Sequence, residues 1–142
     1  MTRPRLLLAA VALVGGLAWL VERLVVTDAE AVEAVLERAA SDASRGAWDA
    51  VAEALDEGFR EGGRDGAAFV AWARAQWARA ALRSITVDVL DVRVEGDRAA
   101  ARVDARLQPY AQRVPGTVEL ERRDGAWRIV RIAPDSAMFF GR

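Results

Sequence analysis

The stretch ITVDVLDVRVE, residues 85–95, decides the fold because its apolar side chains change phase halfway along. Apolar residues occupy positions 85, 87 and 89, and then positions 90, 92 and 94. Successive side chains of a strand point to opposite faces, so one extra residue exchanges the two faces. The pattern therefore predicts one long strand with a bulge or sharp bend at Val89–Leu90, and a strongly bent sheet around it.

Alternating apolar residues continue in three shorter segments, at 98–107, 117–121 and 127–132. Gly96 and Asp124–Gly125 are hairpin signals between neighbouring segments. Pro109 and Pro115 predict a longer connection between the second and third strands. The second half of the domain is therefore predicted to be a four-stranded antiparallel sheet.

Three apolar stripes with helical spacing precede the strands, at residues 28–45, 48–59 and 67–82. Thr27 and Glu30 have the spacing of a capping box, which predicts that the first helix begins near Asp28. Helices followed by strands are typical of the α+β class. We expect three helices packed on a curved sheet, in a cone-shaped domain.

This order resembles the nuclear transport factor 2-like superfamily over roughly residues 28–133. Two motifs carry the resemblance: the junction RGAWDA at residues 45–50 and the closing hairpin DGAWRI at residues 124–129. The superfamily includes ketosteroid isomerases, polyketide cyclases and limonene-epoxide hydrolases. The resemblance implies a pocket between the third helix and the concave face of the sheet, and it supports the fold better than any one function.

Residues 6–26 predict a transmembrane helix, because this segment is apolar apart from Glu22 and Arg23. A helix of about 21 residues is roughly 31 Å long, which matches the hydrocarbon core of a bilayer. Arg3 and Arg5 precede the segment, so residues 1–5 are predicted to be cytoplasmic and the domain extracytoplasmic. A cleaved signal peptide and a buried helix are the alternatives. Residues 134–142, with Met138–Phe140, form a C-terminal tail.

The composition excludes several kinds of chemistry. All the basic residues are arginine, and the chain of 142 residues has no Lys, His or Cys. Serine–histidine catalysis, thiol nucleophiles, lysine Schiff bases and sites with imidazole or thiolate ligands for zinc are therefore excluded. We predict no metal and no cofactor. Because acidic and basic residues nearly balance, at a net charge of −1, we also predict no nucleic-acid partner.

The predicted pocket has five candidate ligand-binding residues: Trp72, Trp77, Arg106, Tyr110 and Trp127. Tryptophans also fill ordinary protein cores, and that interpretation stays open for Trp77 and Trp127. No catalytic residue is assigned. The isomerases of the superfamily carry a tyrosine on the first helix, whereas Tyr110 lies in a connection between strands.

Two functions from different classes follow. The first is a membrane-anchored, non-catalytic domain that binds an apolar small molecule or lipid, or serves protein assembly at the cell envelope. The alternative is a carboxylate-dependent isomerase, cyclase or hydrolase acting on a small molecule. Asp88 with Asp104, or Asp91 with Arg106 and Asp104, offer residue types for such chemistry. A homodimer through the charged face of the sheet is a further prediction.

Overall fold

A computed structural model of the protein describes residues 27–134. The elements, in chain order, are α1 (Asp28–Ser44), α2 (Trp48–Glu53), β1 (Leu55–Arg60), α3 (Gly66–Arg79), β2 (Ser84–Glu95), β3 (Arg98–Gln108), β4 (Gln112–Arg123) and β5 (Ala126–Ala133). The fold is α+β, with three helices and a five-stranded mixed sheet in the order β1-β5-β4-β3-β2.

The predicted transmembrane helix, over residues 6–26, lies outside the described residues, and so does the tail beyond Pro134. Within residues 27–134, no helix is both long and apolar enough to cross a membrane.

The prediction of four antiparallel strands was wrong by one strand. The second helical stripe, residues 48–59, contains a short helix that ends at Glu53 and then the strand β1, which runs parallel to β5. Leu55 and Phe59 are both buried. Residues four apart share a face in a helix and also in a strand, so their spacing does not distinguish the two. Pairing with β5 decides in favour of the strand.

The first helix begins as the sequence predicts. The Thr27 side chain accepts a hydrogen bond from the backbone N–H of Glu30, and the Glu30 carboxylate accepts one from the Thr27 N–H, both at 3.2 Å. Gly46 follows the helix with φ of +72°, a conformation that favours glycine. Both ends of α1 are therefore set by local sequence.

The predicted bulge in β2 is confirmed. β2 pairs with β3 in continuous register as far as Val89↔Val103, and pairing resumes at Asp91↔Arg102. Leu90 is the extra residue, and 58% of it is exposed. The apolar residues on both sides of the bulge, including Val87 and Val92, thus pack against the same core.

The strand β4 begins earlier than predicted, because Pro115 lies inside it rather than in the connection before it. Pro115 pairs with Asp104 of β3, whereas β5 pairs with β4 only from Thr117 onward. Proline has no N–H to donate, so it is tolerated where one side of a strand has no partner strand. The start of β4 is such an edge.

The core lies between α1 and the inner face of the sheet, which is the face that carries Ala99, Ala101 and Val103. The largest fully buried side chains are Val32, Phe59 and Leu120, from α1, β1 and β4 respectively. The opposite, outer face carries mostly charged residues.

A matched pair of leucine substitutions tests the bulge. Leu120 is 1% exposed and Leu90 is 58% exposed. We expect Leu120→Ala to lower the free energy of unfolding by about 2–5 kcal/mol and Leu90→Ala to change it by less than about 0.5 kcal/mol. Urea denaturation followed by circular dichroism measures both. A loss for Leu90→Ala as large as that for Leu120→Ala would contradict the bulge.

Candidate functional site

A cavity of about 260 Å³ lies between α3 and the inner face of the sheet. Its walls come from α1, α2, α3 and all five strands. They include Leu36, Ala40, Val51, Leu55, Leu82, Ile85, Val87, Val103, Ala105, Leu107, Val118 and Ile129. In the wall formed by the sheet, the buried residues are Leu55, Val103, Leu107, Val118 and Ile129. Pro115 and Pro134 also line the cavity and are exposed, so the cavity reaches the surface near them.

The helix α3 contributes one face to this cavity. Its lining residues are Phe69, Trp72, Ala73, Gln76 and Trp77, whose spacings of three, one, three and one place them together on one side of a helix. The carboxylate of Asp65 caps the helix by accepting from the Ala68 N–H at 2.8 Å. None of the residues of α3 is fully buried. The helix therefore stands off from the sheet and leaves room beneath it.

Aromatic contacts join α3 to the elements beside it. The rings of Trp77 and Trp48 meet edge to face, with centroids 5.6 Å apart. The ring of Phe69 lies 5.1 Å from that of Phe59 of β1, measured between centroids, and 6.1 Å from that of Trp72 within α3 itself. Such pairs contribute about 0.5–1.5 kcal/mol each beyond simple burial. They hold α3 at both ends without filling the space over the sheet.

The cavity wall formed by the described residues carries no charged side chain. Gln76 is the one lining residue there that is neither apolar nor aromatic. Gln76 is half-buried, and its side-chain amide makes no hydrogen bond with any residue between 27 and 134. The wall can therefore exclude water from an apolar molecule and offer it one uncharged polar group.

Of the five residues predicted to bind a ligand, Trp72 and Trp77 line the cavity. Trp127 is instead buried in the main core, with the guanidinium carbon of Arg122 5.1 Å from its ring centroid. The Arg106 side chain pairs with Asp88 at 3.4 Å. The Tyr110 hydroxyl donates to the carbonyl of Ala80 at 2.7 Å.

The carboxylates considered for catalysis lie away from the cavity. Asp88 and Asp104 are directly opposite each other on β2 and β3. Asp104 pairs with Arg113 at 3.3 Å, just as Asp88 pairs with Arg106. Like charges that face each other across two strands repel, and these arginines offset the repulsion. The four side chains form a charged cluster that does not line the cavity.

Three further carboxylates, those of Asp42, Asp56 and Glu61, are buried among the described residues but do not line the cavity. Glu61 lies 3.6 Å from the guanidinium of Arg64. Asp42 pairs with Arg45 just after the end of α1. Asp56 accepts from the Gly58 N–H at 2.9 Å and lies 3.5 Å from the guanidinium of Arg123. Each of the three has an arginine that compensates for lost hydration, so all three carboxylates stabilise their local structure.

Gln76 was missed by sequence reasoning, although the sequence contained a signal for it. Gln76 follows Trp72 by four residues and Ala73 by three, so it falls on the apolar stripe of α3. A polar residue on an apolar helix face usually meets a partner there. The apolar stripe of α3 was predicted, but Gln76, the polar residue within it, was not recognised as a site residue.

Solved structures share this fold. An NTF2-like protein from Cytophaga hutchinsonii matches with a TM-score of 0.60 at 10% identity, over 75% of this chain and 96% of that one. An NTF-2 like protein of unknown function from Silicibacter pomeroyi matches with a TM-score of 0.54 at 23% identity, over 72% and 89%. A de novo designed protein with a curved β-sheet matches with a TM-score of 0.50 at 14% identity, over 66% and 89%.

No protein-family model matches the sequence, and no curated protein sequence does. The structural matches show that the domain has the nuclear transport factor 2-like fold. Because fold does not imply function, the function of this chain has to be argued from its own cavity.

Tyr110 offers a test of what the residues outside the cavity do. Its hydroxyl is bonded to the end of α3, and 49% of the residue is exposed. We expect Tyr110→Phe to lower the free energy of unfolding by about 0.5–1.5 kcal/mol, because one hydrogen bond is lost. The affinity for a ligand in the cavity should not change. A loss of affinity with unchanged stability would place Tyr110 at the binding site.

Proposed function

We propose that this domain binds an uncharged apolar small molecule or lipid in the cavity beneath α3, without catalysing its conversion. One observation carries the proposal: the cavity wall formed by residues 27–134 is apolar and aromatic throughout, apart from Gln76. Ligand sites are typically concave and apolar with a few polar groups that orient the ligand. This cavity fits that description.

The size of the cavity bounds its ligand. Its volume of about 260 Å³ exceeds the roughly 150 Å³ cavity that binds benzene in another protein. It lies just below the usual range for ligand pockets, about 300–1,000 Å³. Scaling from benzene gives an enclosed portion of about ten non-hydrogen atoms. A longer lipid would have to extend out of the cavity near Pro115 and Pro134.

The alternative, a carboxylate-dependent isomerase, cyclase or hydrolase, has less support from the geometry. Such an enzyme needs an acid or base within hydrogen-bond reach of the reacting atom. Among the described residues, no Asp or Glu lines the cavity. Asp88 and Asp104 are already paired with arginines elsewhere. Binding without chemistry is therefore the function that the cavity supports better.

Naphthalene, with ten carbon atoms, is a suitable probe for this cavity. Equilibrium dialysis against the full chain measures how much it binds. We expect Ala73→Phe to weaken binding at least about tenfold, because Ala73 lines the cavity and the added ring occupies it. Ala75→Phe is the matched control, since Ala75 is an exposed residue on the same helix.

The two variants also separate binding in the cavity from other uptake. Naphthalene that dissolves in detergent or lipid around the chain is the same for both variants, so their difference reports the cavity alone. Equal uptake by Ala73→Phe, Ala75→Phe and the unchanged chain would contradict the proposal. Unfolding curves for both variants check that each one folds.

We also propose that residues 6–26 anchor the domain to a membrane, with the domain on the extracytoplasmic side. The support is the apolar composition of this segment and the arginines that precede it. After carbonate extraction of membranes from expressing bacteria, the full chain should remain in the pellet. A chain that lacks residues 2–26 should be released. A mature protein whose measured mass lacks the first 26 residues would contradict the anchor and indicate a cleaved signal peptide.

A further inference from the structure

Gln76 is the feature of the cavity that an apolar ligand alone does not explain. Its amide lies on the lining face of α3, between Trp72 and Trp77 along the chain. A leucine or alanine at this position would complete an apolar wall. An amide that loses water without gaining a partner is costly, so a ligand that covers Gln76 has to hydrogen-bond with it or lose affinity.

The amide of Gln76 restricts what such a ligand can be. It carries one carbonyl acceptor and two N–H donors, so it can pair with a hydroxyl or with a carbonyl group. It cannot neutralise a charge. Among the described residues, no arginine lines the cavity. A carboxylate or phosphate moved into this apolar space would lose its hydration without a cation to replace it.

We propose that the ligand is uncharged, with an apolar body and one hydroxyl or carbonyl group that hydrogen-bonds to Gln76. Gln76 is thus the residue that determines specificity, while the aromatic and aliphatic wall supplies most of the affinity. This inference rests on the proposed binding function. It adds that the site selects neutral alcohols or carbonyl compounds over their carboxylate counterparts.

Three probes with the same ring system test the inference: naphthalene, 2-naphthol and 2-naphthoate, each dialysed against the full chain at pH 7. At this pH the first two are uncharged and the third is an anion. The variant is Gln76→Leu, which keeps the size of the side chain and removes its amide. The matched control is Gln112→Leu, because Gln112 is exposed on β4 and does not line the cavity.

The informative quantity is the ratio of the affinities for 2-naphthol and naphthalene, compared between the unchanged chain and the variant. We expect Gln76→Leu to lower this ratio about tenfold, as expected for the loss of one hydrogen bond. Naphthalene itself should bind the variant at least as tightly as it binds the unchanged chain. Gln112→Leu should leave the ratio as it is, and 2-naphthoate should bind most weakly throughout.

The outcomes separate this inference from the proposed function. If naphthalene binds the cavity but the ratio is the same in Gln76→Leu, the inference fails and the binding function stands. Binding of 2-naphthoate as tight as that of 2-naphthol would also overturn the inference alone. If no probe binds, or if binding appears only in a chain that ends at Pro134, both fail. The last result would identify residues 135–142 as the occupant of the cavity.

Discussion

The extra residue in β2 is the constraint on which the rest of the domain depends. Leu90 interrupts the pairing with β3, and the apolar residues on both sides of it therefore face the same side of the sheet. Ile85 and Val87, before the bulge, line the cavity. Val92 and Val94, after it, pack against the main core. Without the bulge, one of these two halves would present its apolar side chains to solvent.

The inner face of the sheet has two parts: one packs with α1 in the core, and the other lines the cavity beneath α3. The α1 side is filled by fully buried side chains such as Val32 and Leu120, whereas α3 has no fully buried residue among its fourteen. Packing that leaves a cavity forgoes part of the stability that a filled core gives. The domain tolerates this because α1 and the sheet already form a continuous core. The aromatic contacts of Phe69 and Trp77 fix α3 above the space.

Charged residues are also distributed differently between the cavity wall and the rest of the described fold. Charged residues make up 29% of the chain, yet none of the described ones lines the cavity. The carboxylates that are buried, such as Asp42 and Asp56, each have an arginine beside them. Asp88 and Asp104 have arginines of their own. Each of these carboxylates thus has a cationic partner, whereas the described residues that line the cavity offer none to an anionic ligand. This separation favours neutral ligands.

The sequence by itself determined the features that depend on neighbouring residues. The capping box of Thr27 and Glu30, the turn at Asp124–Gly125 and the bulge at Leu90 are all confirmed, because each is set by interactions within a few residues. Only the tertiary structure decided the state of Leu55 and Phe59, since their spacing suits a helix and a strand equally. Their strand exists because β5, distant in sequence, pairs with it.

The same limit applies to the site. The sequence left Trp77 and Trp127 open as either core or pocket residues, but Trp127 fills the core while Trp77 lines the cavity. The distinction depends on where α3 lies relative to the sheet, and local pattern carries no information about that distance. The sequence predicts which face of α3 is apolar and contains Gln76 on that face, but Gln76 was not predicted as a site residue. Gln76 becomes part of a cavity wall because α3 packs at a distance from the sheet, which is a property of the packed elements.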